Sequence, residues 1–216
     1  MEAFNMDNAL FRTIGKLVDL IWVNILTLIC ALPIITAGAS FTAMNAVLIK
    51  MAADDSYSIT RDFFQSFRES FKQVTKVWGC ILVILLICLY NFYLWQGGAM
   101  DNYGDLKIVS GVAIAAAVSF TLMVMNYMFF LFLRYENGIK QTVKNAVMLS
   151  FAFFPKSVGI VIMMFSPLAL MLLSDYFFWL WFLYGFAYPG YLIAKVMLGI
   201  FHKTEQVKGN INNELE

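Results

Sequence analysis

The chain has 216 residues, 61% of them hydrophobic and 13% charged, against roughly 45–50% apolar and about 25% charged in an average soluble domain. A globule of this size has too little interior to hide that excess, so most of the chain must face lipid or other membrane helices. The formal net charge of +1 points to no nucleic acid, and Cys30, Cys80 and Cys88 fall inside apolar runs without metal-ligand spacing, as buried thiols do.

Residues 1 to 16 form a short polar start that carries Arg12 and Lys16. With the apolar run that follows and Ala37-Gly38-Ala39, they imitate a secretory leader. Asp19 interrupts the start of that run and apolar sequence continues past Ala39, so the segment is expected to stay in the mature protein. From Leu17 to Ile49 the only formal charge is Asp19, and the run exceeds the roughly 20 residues of one bilayer crossing. Pro33 and Gly38 interrupt it. A helix from about Leu17 to Leu32 should therefore break at Pro33 and be followed by a second limb. Thr36, Ser40, Thr42 and Asn45 alternate there with Ala and Gly, a face suited to close helix packing.

From Thr60 to Trp78 the pattern changes. At about 100° per residue, Phe63, Phe64, Phe67, Phe71, Val74 and Trp78 share one arc, while Arg61, Arg68, Lys72 and Lys76 share the opposite one. This predicts an amphipathic helix that either lies in the membrane interface or docks its apolar face on the protein's own helices. Trp78 to Trp95 reads as a spanning helix with aromatic residues at both ends. A Gly-rich loop with Asp101 and Asp105 leads to a further helix from about Lys107 to Leu133. Arg134 to Ser157 is a second polar interval, with Lys140 and Lys144 and an apolar set at Ile139, Val143, Ala146, Val147 and Phe154. Two more apolar runs, Val158 to Leu173 and Tyr176 to Leu198, are separated by Ser174-Asp175 and an aromatic cluster of Tyr176, Phe177, Phe178, Trp179, Trp181 and Phe182. Pro189-Gly190 should kink the last helix, and the Asn-rich tail from His202 should be irregular.

Charge sets the orientation. If Leu17 to Ile49 crosses twice, every Lys and Arg except Lys107 falls on one side, and the positive-inside rule makes both termini cytoplasmic. Two crossings in that run leave about 16 residues each, or about 24 Å, short of a hydrocarbon core of about 30 Å. A re-entrant second limb is the variant this leaves open.

Chemistry has few footholds. Phosphate-loop, dinucleotide, zinc-protease and nucleophile-elbow motifs are absent, and the single histidine, His202, sits in the tail. No enzyme activity, cofactor or metal is expected. Polar residues inside apolar runs are the remaining candidates. Asp19 follows Lys16 by three residues and should pair with it at the interface, unless it couples an ion. Asn24, Asn45, Asn91 and Asn126 should make interhelical hydrogen bonds, unless they contact a substrate. Lys195 should snorkel toward the headgroups.

Lys16-Leu17-x-Asp19-Leu20-Ile21-x-x-Asn24-x-Leu26, then Cys30-x-Leu32-Pro33-x-x-Thr36-x-Gly38-Ala39, then Phe63-Phe64-x-x-Phe67 and Phe71-Lys72, resemble the YesL-like family of uncharacterised bacterial integral membrane proteins. The likeness is strongest over about residues 10 to 80. It implies no catalytic residue. It does imply company, because members of that family often accompany carbohydrate-uptake systems, commonly ABC importers for oligosaccharides.

The expectation is an all-α, polytopic membrane protein of the bacterial plasma membrane. It has about six membrane helices, a broken first hairpin and two cytoplasmic amphipathic helices. Residues 1–200 form one membrane domain and 201–216 a polar tail. Its expected role is non-enzymatic, as an accessory or assembly partner of a carbohydrate ABC importer. Its expected partners are the lipid bilayer, permease or ATPase subunits, and a second copy of itself. Arg61, Phe64, Phe67, Arg68, Phe71, Lys72, Lys76, Lys140 and Lys144 would form its contact surfaces. The alternative is a small transporter or channel whose polar site near the break draws on Asp19, Asn24, Pro33, Thr36, Gly38, Asn91 and Asn126.

Overall fold

The computed structural model describes residues 3–97, 105–135, 138–171 and 182–215, with side chains over 13–97, 105, 107–135, 138–166, 169 and 182–201. Among them every regular element is a helix: α1 (Ala3–Ala31), α2 (Ala37–Ala52), α3 (Ile59–Gln96), α4 (Asp105–Arg134), α5 (Ile139–Ala152), α6 (Phe154–Met171) and α7 (Ala187–Leu215). Four helices are long and apolar enough to span a membrane, and a fifth span results if α5 and α6, bent by 100° at their junction, are taken together. Ala187–Phe201 is a shorter apolar helix. The cluster from Tyr176 to Trp181 and Asp101 lie outside the described residues.

The run from Leu17 to Ile49 folds into an antiparallel hairpin. After Ala31 the chain leaves the helix at Leu32-Pro33, makes one 3-10 turn over Ile34–Thr36, and re-enters as α2. Pro33 supplies no N–H to continue α1, and the Thr36 hydroxyl sits 2.7 Å from the Cys30 carbonyl and 2.8 Å from that of Pro33, occupying acceptors the break exposes. Further in, the Ser40 hydroxyl donates to the Thr27 carbonyl at 2.8 Å. At the open end Lys16 Nζ lies 2.6 Å from the Asp54 carboxylate, so both ends of the run meet on one side. Each limb is a 19-residue apolar helix, Thr13–Ala31 and Ile34–Ala52, or about 28 Å at 1.5 Å per residue, close to a full core thickness.

α2 is the centre of the molecule. Its residues from Ala37 to Ser40, Thr42 to Asn45, and Val47, Leu48 and Met51 are all buried. Two glycines set how closely its neighbours approach. A Cβ on Gly38 would lie 2.7 Å from Trp78 Cβ and Cγ, and one on Gly190 would lie 2.8 Å from Leu48 Cδ1. α2 ends in a Schellman turn: Asp55 N–H reaches the Lys50 carbonyl at 3.0 Å and Asp54 N–H that of Met51 at 3.4 Å. Asp54 takes the left-handed position (φ 55°) that usually falls to glycine, and that conformation aims its carboxylate at Lys16.

α3 corrects the expected arrangement. The amphipathic stretch and the spanning stretch form one continuous helix of 38 residues, about 57 Å long. Composition changes at Trp78, but a composition change does not end a helix, and Gly79 alone is a weak breaker. The first half of α3 runs antiparallel along α2, from Lys50–Asp62 (3.1 Å) to Trp78 Nε1, which donates to the Ile34 carbonyl at 2.7 Å. Phe63 and Val74 are buried, so this half docks on the protein's own helices and does not lie alone in the interface. The second half pairs with α4, whose start is fixed where Trp95 Nε1 donates to the Lys107 carbonyl at 2.8 Å.

Four smaller corrections follow. α5 packs against α4, its Ile139, Val143 and Val147 line a cavity that α3 bounds on the other side, and Phe154 is exposed. The last helix starts at Ala187, so Pro189 sits in its first turn, where a missing N–H costs nothing, and causes no kink. The same helix continues to Leu215, so the polar tail is helical. Of the three thiols, Cys80 is exposed, and Cys30 and Cys88 are half-buried. All three are free.

Candidate functional site

Most of the polar residues singled out inside apolar runs are engaged in holding the fold. Asn24 is fully buried. Its Oδ1 accepts from the N–H groups of Phe186 and Ala187, both at 3.1 Å, and its Nδ2 donates to the Phe182 carbonyl at 2.8 Å. α7 begins at Ala187 with its first N–H groups unpaired by any helix carbonyl, and Asn24 caps it from the other end of the chain. This is the interhelical bond expected of it, made to backbone.

Asp19 departs from expectation. Lys16 pairs with Asp54, and Asp19 instead accepts from the Tyr57 hydroxyl at 2.6 Å. Trp22 Nε1 donates to Thr60 Oγ1 at 3.1 Å. These contacts join each residue of α1 to one 38 positions later, so the segment after α2 lies along α1 in constant register. The sequence offered Lys16 a partner three residues away, but the Schellman turn brings in a better-placed one. Lys195 lies 4.6 Å from the Tyr191 ring centroid, a cation–π contact within its own helix.

Asn91 makes no interhelical bond. It is exposed and returns its Nδ2 to the Ile87 carbonyl of its own helix at 2.8 Å. Asn126 returns its Nδ2 to the Leu122 carbonyl at 3.0 Å and lies 3.4 Å from Met164 Sδ of α6. Asn45 is buried on α2 at 4% exposure, and its side-chain amide makes no hydrogen bond among the described residues. The polar set near Pro33 is therefore not gathered around one point. Pro33, Thr36 and Gly38 form the hairpin tip, Asp19 and Asn24 fasten separate junctions, and Asn91 faces outward.

Two cavities stand out. One, of about 220 Å³, lies between α2, α4, α6 and α7, bounded by Asn45, Asn126, Met164, Phe186 and Gly190. Among the described residues Asn45 does not make the interhelical hydrogen bond expected of it, and its place at this wall was not legible because its neighbours come from helices distant in sequence. The other, of about 280 Å³, lies where α2, α3, α4 and α7 meet, bounded by Lys50, Asp62, Glu69 and Arg134. There the Lys50–Asp62 pair is closed, and Asp62 also accepts the Ser58 N–H at 2.9 Å. The Arg134 guanidinium lies 4.9 Å from the Phe201 ring centroid. Among the described residues no group of three or more His, Cys, Asp or Glu side chains is placed to hold a metal ion.

The cations of α3 fall as their periodicity predicts, whereas Phe64, expected on the apolar arc, is exposed. Arg61, Arg68, Lys72 and Lys76 are exposed along one side of α3, Phe64 is exposed beside them, and Phe67 and Phe71 are half-buried, their rings tilted against each other with 5.5 Å between centroids. Lys140 and Lys144 are exposed on α5.

Apolar helices of spanning length, packed around a hairpin with its polar groups turned inward, define a polytopic α-helical membrane protein. Residues 20–92 match a family described as "Protein of unknown function, DUF624", a stretch that covers the later part of α1, all of α2 and most of α3. No curated protein and no solved structure matches the chain.

Proposed function

We propose that the chain is a non-enzymatic, multi-pass protein of the bacterial plasma membrane, of YesL-like type, that serves as an accessory or assembly partner of a carbohydrate ABC importer. Both termini lie in the cytoplasm in this reading. The observation that carries it is the cationic side of α3, where Arg61, Arg68, Lys72 and Lys76 stand exposed on a helix whose opposite side is anchored in the core. A rigidly held row of cations suits contact with acidic headgroups or with an acidic face of a partner subunit. The match over residues 20–92 is consistent with the YesL-like resemblance, and it includes this row. The transporter reading has less support, because Pro33 and Thr36 are engaged in the turn and Asn24 in capping α7.

Affinity purification from native membranes in mild detergent tests the proposal. Permease or ATPase subunits should co-purify with the intact chain, and Arg68→Glu with Lys72→Glu should deplete them about tenfold without loss of the chain from the membrane. Recovery of neither subunit with the intact chain would overturn it.

A further inference from the structure

The face of α4 that bounds the cavity of Asn45 and Asn126 continues past Leu122. Ile108, Gly111, Ala115, Val118, Leu122 and Met125 recur every three or four residues, which places them on one face of α4. The first four line a groove of about 710 Å³ between α3 and α4, and the last two line the 220 Å³ cavity. Phe165 of α6 lines both. The two spaces therefore follow one another along the same face of α4, with Phe165 between them.

Together they are chemically graded. No Asp, Glu, Lys or Arg lines either space. The groove is walled by Leu, Ile, Val, Ala and aromatic side chains, with Ser119 at its edge. At the other end stand two carboxamides with unused capacity. Asn45 offers donors and an acceptor, and Asn126, whose Nδ2 is engaged, retains its Oδ1 as an acceptor. An amide held at 4% exposure among apolar side chains is costly to leave unpaired.

We propose that the two spaces together bind an uncharged amphiphile, a glycerolipid of the diacylglycerol class, with its head at Asn45 and Asn126 and an acyl chain in the α3/α4 groove. An ester carbonyl would accept from Asn45, and a free hydroxyl would donate to Asn126. A phosphate head would be buried here without a countercharge. A free sugar would meet too few polar partners for its hydroxyls. From Ile108 to Val118 the groove runs about 15 Å, the length of an acyl chain that spans half of a core of about 30 Å. The site is separate from the cationic row, so its success or failure leaves the partnership reading untouched.

The test uses the full chain in phosphatidylcholine liposomes and a diacylglycerol carrying a diazirine on one acyl chain. Photolabelling should saturate, map to α3 and α4, and be competed by dioleoylglycerol but not by phosphatidic acid. Asn45→Leu combined with Asn126→Leu should weaken the saturable labelling about tenfold. Ala115→Phe should abolish it by filling the groove while both amides remain. Asn91→Leu, which removes an exposed amide outside both spaces, should leave it unchanged. Asn45→Leu alone loses no hydrogen bond, so it should weaken the saturable labelling without lowering the thermal unfolding temperature, which separates lost binding from lost folding. Labelling that rises linearly with probe and is equal in all variants means bulk lipid filling only and overturns the proposal. Equal competition by phosphatidic acid also overturns it.

Discussion

Asn24 shows what one polar residue in an apolar run can hold. Replacing it with Leu would leave two N–H groups and one carbonyl without their partner, at a cost of about 1–3 kcal/mol. Thermal unfolding in detergent should register that loss, whereas Asn91→Leu should change little. That Asn24 must bond was legible in the sequence. That it bonds to a helix start 163 positions away was not, because local spacing carries no information on which distant backbone groups need a cap. Tyr57 makes a second residue-scale prediction. Burial first, and the hydrogen bond to the Asp19 carboxylate second, raise its phenol above the ordinary tyrosine value. The fold therefore favours the neutral phenol, and its contribution is intact below about pH 10 and declines as pH rises further. The difference in unfolding temperature between the natural chain and Tyr57→Phe should be constant from about pH 7 to 9 and shrink above about 10.

Among the elements, α2 and α3 depend on close approach. Gly38→Ala would drive a methyl group to within 2.7 Å of Trp78, and the resulting overpacking should cost about 1–3 kcal/mol. Gly79→Ala meets nothing within 4 Å and should stabilise α3 by up to about 1 kcal/mol through helix propensity. Opposite shifts of the two variants in one unfolding assay would verify the packing, and equal shifts would contradict it. The hairpin break was legible because Pro33 excludes itself from a helix interior. The continuity of α3 was not, because charge patterning and hydropathy divide the segment at Trp78 while helix geometry depends only on backbone breakers. The start of α7 was misplaced for a related reason: Pro189 marks either a kink or a first turn, and only the Asn24 cap decides which.

On the scale of the whole molecule, the hairpin fixes sidedness. Lys16 beside Asp54 places the two ends of α1–α2 together, and Arg134 and Phe201 join Lys50 and Asp62 around one cavity, so α4 and the apolar part of α7 also end there. In a background with Cys30, Cys80 and Cys88 removed, Asp55→Cys and Asn145→Cys should react with a membrane-impermeant maleimide from the same side, and Gln96→Cys from the other. Labelling of Asp55→Cys and Gln96→Cys from one side would refute this arrangement. Composition and charge were sufficient to read the all-helical membrane class and the clustering of cations. The helix lengths were less accessible, since a chain can extend a helix beyond the bilayer wherever protein neighbours cover it.

The Asn24 cap also has a consequence in biosynthetic time. Its partners Phe182, Phe186 and Ala187 are made 158 to 163 residues after it, and at about 5–20 residues per second the interval is roughly 8–30 s. For that period α1 and α2 are in place with an unsatisfied amide and an empty seat opposite Leu48. A chain that ends before Phe182 lacks every one of these partners for Asn24.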